Sequence, residues 1–332
     1  MKNTYLDLIQ QTFYFPQDGF EVKNNYLYFH GIPLKQLIEE YETPMRITYL
    51  PKISENIQRA KKYFNDAIRK LNYPGNYNYC YCTKSSHFAH VLVEALKNDI
   101  YLETSSAFDI DIIERLYLNK MLNKDTLIVC NGFKTKIYTQ RISKLANLDF
   151  NIMPVLDNME ELEAYENTII YDCDLGIRIA SEEQPEFQLY TSRLGIRYKE
   201  IKDFYLNKIK PNPKFKLKML HFFINSGIKD NIYYWNELSK LLKVYVELKR
   251  VCPELDSLNI GGGWPFRSSL GFEYDYAYMA EEILNKIKQT CEEENVSCPN
   301  IFTEFGSFTV AESGAFIFSV LAEKHQNDSE RW

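Results

Sequence analysis

The sequence has no apolar run of membrane-spanning length, no apolar stretch behind its opening Met1-Lys2-Asn3-Thr4-Tyr5-Leu6-Asp7-Leu8, no cysteines in C-x-x-C spacing and no excess of positive charge. Each absence excludes something. A spanning helix needs about 20 consecutive apolar residues, and a secretory leader needs an apolar core near the start, so neither is expected. A formal charge of −6 argues against nucleic acid or an anionic membrane as main partner, because neutralising phosphates takes clustered Lys and Arg. A cationic small molecule is compatible. The seven cysteines are odd in number and unpatterned. They read as reduced thiols of a cytoplasmic protein rather than as metal ligands or disulfides.

What is present is length and alternation. With 332 residues, 45% of them apolar, the chain can bury one large barrel plus extra material, or two domains. Strand-like runs recur at 77–84, 100–104, 126–131, 151–156, 175–180, 217–225, 258–263 and 300–306. Between them, apolar residues fall at helical spacing, as in Phe88, Val91, Leu92, Ala95 and Leu96, or Ile110, Ile113 and Leu116. Eight strand–helix alternations predict an α/β fold, a (β/α)8 TIM-type barrel, with an open doubly wound sheet as the alternative that periodicity alone leaves open. Residues 1–44 stand outside the alternation and read as a β-rich segment of a second, β domain. The barrel spans 45–310, and 311–332 reads as the start of a truncated carboxyl-terminal β domain. The apolar run Ala315–Leu321 needs strand partners that do not follow it, so the chain is expected to be a fragment prone to association.

Candidate chemistry collects where barrel strands end. In Tyr77-Asn78-Tyr79-Cys80-Tyr81-Cys82-Thr83-Lys84 the tyrosines share one face, and Lys84 shares the other with the small residues. The tyrosines should therefore point outward against helices and Lys84 into the lumen, where burial is costly unless it is neutral or covalently engaged. Gly261, Gly262 and Gly263 after the seventh run, and Gly306 after the eighth, suit a nest of N–H donors for a phosphate, with a plain tight turn as the bland alternative. A Gly262→Val change is thus expected to weaken anion binding more than folding. Glu304 lies on an apolar strand and needs a cationic partner, either a protonated ring nitrogen or a barrel arginine such as Arg178. His221 and Phe222 cannot both face the lumen, and His221 reads more readily as a packed histidine than as a functional one. His87 reads as a cap or as part of the cofactor rim.

A lysine nucleophile, a phosphate nest and an acid for a ring nitrogen together fit a pyridoxal phosphate site. The segments Tyr81-Cys82-Thr83-Lys84, Glu103-Thr104-Ser105-Ser106, Cys130-Asn131-Gly132-Phe133-Lys134, 220–226, 259–263 and Glu304-Phe305-Gly306-Ser307 occur in an order that resembles the fold-type III pyridoxal-phosphate decarboxylases, which have an alanine racemase-like barrel. The chain looks most similar to the biosynthetic arginine decarboxylase branch. The resemblance implies that Lys84 forms the imine with the cofactor and that Glu304 pairs with the ring nitrogen, and it assigns these two the catalysis. It implies that Gly261, Gly262, Gly263, Ser226 and Gly306 contact the phosphate, that Glu103 lies near the imine, and that Arg178 lies near the ring.

Three positions depart from the family pattern. Phe223 replaces a stacking histidine, Ser307 replaces a phosphate-clamping arginine, and Glu103 stands where an aspartate is usual. The implied reaction is decarboxylation of arginine to agmatine for polyamine and spermidine synthesis, by a homodimer or higher homo-oligomer when full length. The alternatives are ornithine, lysine or diaminopimelate as substrate, racemisation, or a non-catalytic cofactor carrier. A magnesium ion is implied by the resemblance only, and no metal-ligating residue is assigned.

Overall fold

In a computed structural model the described residues are 19–183, 190–267, 272–322, 325–327 and 330–331. They form two compact units, the larger spanning 53–266 and 274–310 and the smaller drawing on both ends of the chain. The larger unit is a closed barrel of eight parallel strands: β1 Tyr77–Cys82, β2 Tyr101–Thr104, β3 Ile128–Cys130, β4 Ile152–Leu156, β5 Cys173–Arg178, β6 Phe215–His221, β7 Ser257–Asn259 and β8 Asn300–Glu304. Closure is made by β8 pairing with β1. That removes both sheet edges and excludes the open-sheet alternative.

Helix α1, Leu50–Leu71, precedes β1. After successive strands come α2 Ala89–Leu96, α3 Ala107–Leu118, α4 Lys136–Asn147, α5 Glu161–Glu166, α6 Tyr198–Phe204, α7 Ile232–Lys249 and α8 Tyr276–Glu293. Four of these start on a side-chain cap: Ser106, Thr135, Asn231 and Asp275 each accept from the N–H three residues on. Among the described residues no helix is long and apolar enough to cross a membrane.

The alternation on β1 behaves as expected at its start. The Tyr77 ring stacks on Phe64 of α1 with centroids 4.2 Å apart, and Tyr79 meets Phe305 edge-on and bonds Thr309 at 2.7 Å. Inside the lumen, Cys80, Val129, Met153, Val155, Met219 and Phe302 close into one apolar cluster, with Tyr101 against it. This plug is the floor of the site. Because side chains on one face of a strand recur every second residue, one step further along each strand sets a second layer above it: Cys82, Glu103, Asn131, Asp157, Arg178, His221, Asn259 and Glu304.

The smaller unit holds the antiparallel sheet Phe20–Lys23, Tyr26–Phe29 and Ile32–Pro33 and the helix Leu34–Tyr41. A second pairing joins Met45–Thr48 to Gly314–Ile317. Phe20, Phe29 and Leu34 form its core with Ile47, Tyr49, Ala315 and Ile317. The strand at 314–317 therefore has a partner upstream, at 45–48. Beyond it, Phe318, Val320 and Leu321 are exposed.

Candidate active site

The barrel's carboxyl mouth opens into a cavity of about 400 Å³. Strand β1 stops at Cys82, and Thr83–Ser85 forms one 3₁₀ turn, which lifts Lys84 out of the strand to the rim. The side chain is 59% exposed, so the expectation of a buried lysine is corrected: the chain leaves the pleat two residues before it. Lys84 Nζ lies 3.9 Å from Glu103 Oε2. The Glu103 charge raises the lysine pKa above its usual value, against the partial burial that lowers it.

Beneath the lysine two buried glutamates share one amide. Asn131 Nδ2 donates to Glu103 Oε1 at 3.1 Å and to Glu304 Oε1 at 2.7 Å. Asn259 Nδ2 donates to the same Glu304 oxygen at 2.6 Å, and His221 Nε2 lies 3.3 Å from Glu304 Oε2. Neither ring nitrogen of His221 has an aligned hydrogen-bond partner. Burial pushes the Glu304 carboxyl up, but His221 and the Asn131 N–H outweigh it and bring it down to about 2. Glu103 goes the other way. Burial and the Glu304 charge push it up to about 7. The side chain facing Glu304 is thus His221, not Arg178, whose guanidinium instead lies 5.9 Å from the Phe223 ring centroid. His221 faces the cavity while Phe222 packs outward near Tyr234, so the packed-histidine reading is also corrected.

The glycines divide by role. Gly262, Gly263 and Gly306 line the cavity with Ser307, and among the described residues none of their N–H groups donates a hydrogen bond within the chain. Gly261 does not line it. Its N–H donates to Asn259 Oδ1 at 2.9 Å and its carbonyl accepts from the Glu304 N–H at 2.8 Å, so it ties β7 to β8. Ser226 is exposed and outside the lining, whereas Asn225 is in it.

The triple glycine is also required by the protein itself. A Cβ on Gly262 would meet the Glu304 carbonyl oxygen at 2.3 Å, and Gly261 and Gly263 hold φ of +73° and +84°, a region that disfavours side chains. Gly262→Val should therefore disrupt the barrel mouth as well as any anion site, so a folding cost is expected beside the loss of anion binding. A thermal melt of that variant in the absence of cofactor should fall well below wild type.

His87 is placed elsewhere. Its Nε2 is 3.0 Å from buried Asp109 Oδ1, whose other oxygen accepts from the Ser105 N–H at the start of α3. Among the described residues no group of three or more His, Cys, Asp and Glu gathers as a metal site. Asn131 and Asn259 are the residues that sequence reasoning missed. The signal was available in the period: each sits two or four positions beyond an apolar or small lumen residue on its own strand.

A mouth built this way, with an exposed lysine over ionised and unpartnered buried groups, places the chain among barrel proteins that hold a carbonyl compound on a lysine. Residues 51–311 match the family model described as "Pyridoxal-dependent decarboxylase, pyridoxal binding domain", and the chain belongs to that family. It is 26% identical to the biosynthetic arginine decarboxylase of Geotalea uraniireducens, over 90% of this chain and 50% of the relative. The structure matches the biosynthetic arginine decarboxylase from Campylobacter jejuni at a TM-score of 0.75, with 22% identity over 93% of this chain and 54% of that one. It matches diaminopimelate decarboxylase from M. jannaschii at 0.79, with 20% identity over 96% and 73%. These two likenesses show the fold. The chain spans about half the length of the curated relatives it matches.

The residues present fit pyridoxal phosphate. Lys84 is accessible, the undonated N–H groups of Gly262, Gly263, Gly306 and Ser307 suit a phosphate, and Glu304 is held ionised on the cavity floor. Glu103 Oε2 and Arg178 Nε are buried without hydrogen-bond partners.

Proposed function

We propose that the protein to which this chain belongs decarboxylates L-arginine to agmatine, with pyridoxal phosphate as cofactor. The observation that carries the reading is the vertical order in the lumen: apolar plug, ionised Glu304, then Glu103 and Lys84 at the mouth. When bound, the cofactor supplies an electron sink for the carbon that loses carbon dioxide. Lys84 would be the amine that holds it, with the buried Glu103 carboxylate 3.9 Å away to exchange a proton with the amine. Glu304, kept ionised by His221, Asn131 and Asn259, would favour a proton on the cofactor's ring nitrogen. Gly262, Gly263, Gly306 and Ser307 orient the phosphate, and Phe223 offers an aromatic face beside the Arg178 charge.

Arginine as substrate is supported by relatives that bear that name across 90% of this chain and by the Cys130–Lys134 motif. The net charge of −6 suits a cationic substrate. Agmatine would feed polyamine and spermidine synthesis, and the resemblance supports a cytoplasmic homo-oligomer. Ornithine, lysine and diaminopimelate are the rival substrates on the same barrel. Arginine, ornithine, lysine and diaminopimelate offered together to the protein with pyridoxal phosphate decide between them by mass spectrometry of the products. Agmatine as main product is expected. Cadaverine, putrescine or a net gain of lysine in its place would overturn the arginine reading.

A further inference from the structure

Asn131 has no charge and no reactive group, yet it touches both acids of the site. It directly follows β3 and is 4% exposed. We infer that Asn131 is a positioning residue for the reaction proposed above, on which this inference rests: its one amide nitrogen holds the Glu103 and Glu304 carboxylates as a single hydrogen-bonded unit, and through Glu103 it sets how firmly the nitrogen of Lys84 keeps its proton.

Three observations carry this. The contacts, 3.1 Å to Glu103 Oε1 and 2.7 Å to Glu304 Oε1, use both protons of one NH2 group. The amide orientation is therefore dictated by chemistry, since a carbonyl oxygen turned toward two carboxylates would be repelled. The backbone is clamped. Asn131 N–H donates to the Thr104 carbonyl at 2.8 Å, Gly132 turns at φ +74°, and Lys134 Nζ donates to the carbonyls of Gly132 at 2.8 Å and Val155 at 2.5 Å. The dependence is also unequal. Glu304 keeps Asn259 and His221 if Asn131 is lost, whereas Glu103 Oε2 has no hydrogen-bond partner.

The titratable and charged groups around Glu103 are Cys80, Cys82 and Lys84 from β1 and its turn, Cys130 from β3, Tyr138 from α4 and Glu304 from β8. Removing the Asn131 donor makes the Glu103 carboxylate harder to form. A less negative Glu103 leaves the Lys84 nitrogen less inclined to keep a proton.

The test is the pH midpoint of the absorbance of pyridoxal phosphate bound to Lys84, in wild type, Asn131→Leu, Glu103→Gln and the double variant, with circular dichroism as the fold control. The midpoint is expected to move to lower pH by at least about one unit in Asn131→Leu, the scale of a charge effect at contact distance. In the Glu103→Gln background the same change should add less than about a third of that shift, because the route through Glu103 is already gone. An unmoved midpoint in Asn131→Leu, or a full additional shift in the double variant, overturns the inference. Should the leucine variant fail to fold, Asn131→Ala removes the same two N–H groups without added bulk and is judged on the same midpoint. No lysine-bound absorbance in wild type would bring down the cofactor reading and the inference with it; a normal wild-type band with an unmoved variant overturns the inference alone.

Discussion

Glu103 and Glu304 accept from the same amide nitrogen and yet titrate in opposite directions, because burial and the Glu304 charge outweigh Lys84 at Glu103, whereas His221 and the Asn131 N–H outweigh burial at Glu304. Stability of the unloaded chain should record this. Glu103 binds its proton more tightly folded than unfolded, so its contribution is fully present below about pH 4.5 and is lost as pH rises through about 7. Glu304 does the reverse, contributing above about pH 4.5 and losing that contribution as pH falls toward 2. Glu103→Gln should therefore raise the melting temperature at pH 8 and leave it nearly unchanged at pH 4, with an effect at pH 8 on the order of 2 to 3 kcal/mol. Equal melting curves at pH 8 would show that the carboxylate is not held at that cost. At this scale the sequence marked the charged residues well. Lys84 and Glu304 stand out because a charge on an apolar strand demands a reason. Asn131 and Asn259 do not, since an uncharged amide can satisfy itself with backbone almost anywhere, and what makes them part of the site is a second partner far off in sequence.

The eight strands were legible because a barrel buried on both faces writes strands as short apolar runs separated by helical spacing. Their ends were not. Strand β6 was read to residue 225 but stops at His221, and β7 was read to Gly263 but stops at Asn259. The pattern carries on because loops over the mouth also bury apolar groups such as Ile224 and Ile260, so apolarity alone does not mark where pairing ends. Where such a loop is fixed, a specific interaction fixes it. Lys134, after β3, is buried in a salt bridge to Glu161 of α5 at 3.2 Å, its side chain fully covered. Lys134→Met should remove about 3 to 5 kcal/mol of stability, as expected when one partner of a buried pair is deleted and the other is left uncompensated. Adding Glu161→Gln should restore a good part of it. Denaturant unfolding of the single and double variants reads both; a double variant no more stable than the single would show that the pair is not what holds this loop.

At the scale of the molecule, the barrel brings residues from opposite ends of a 226-residue span around one cavity, from Cys82 at the end of β1 and Lys84 just after it to Glu304 at the end of β8 and Gly306 and Ser307 beyond it. The smaller unit was legible only as a β-rich opening and an apolar run near the end. That 45–48 and 314–317 pair with each other follows from closure of a long excursion, which no local pattern records. The central claim is that this mouth holds a carbonyl cofactor on one particular lysine. The direct measurement is borohydride reduction of the chain loaded with pyridoxal phosphate, followed by digestion and peptide mass mapping. A reduced phosphopyridoxyl group on Lys84 is expected, and its loss in Lys84→Ala. Label on another lysine with Lys84 unmodified, or no label above background in a folded chain, would contradict it.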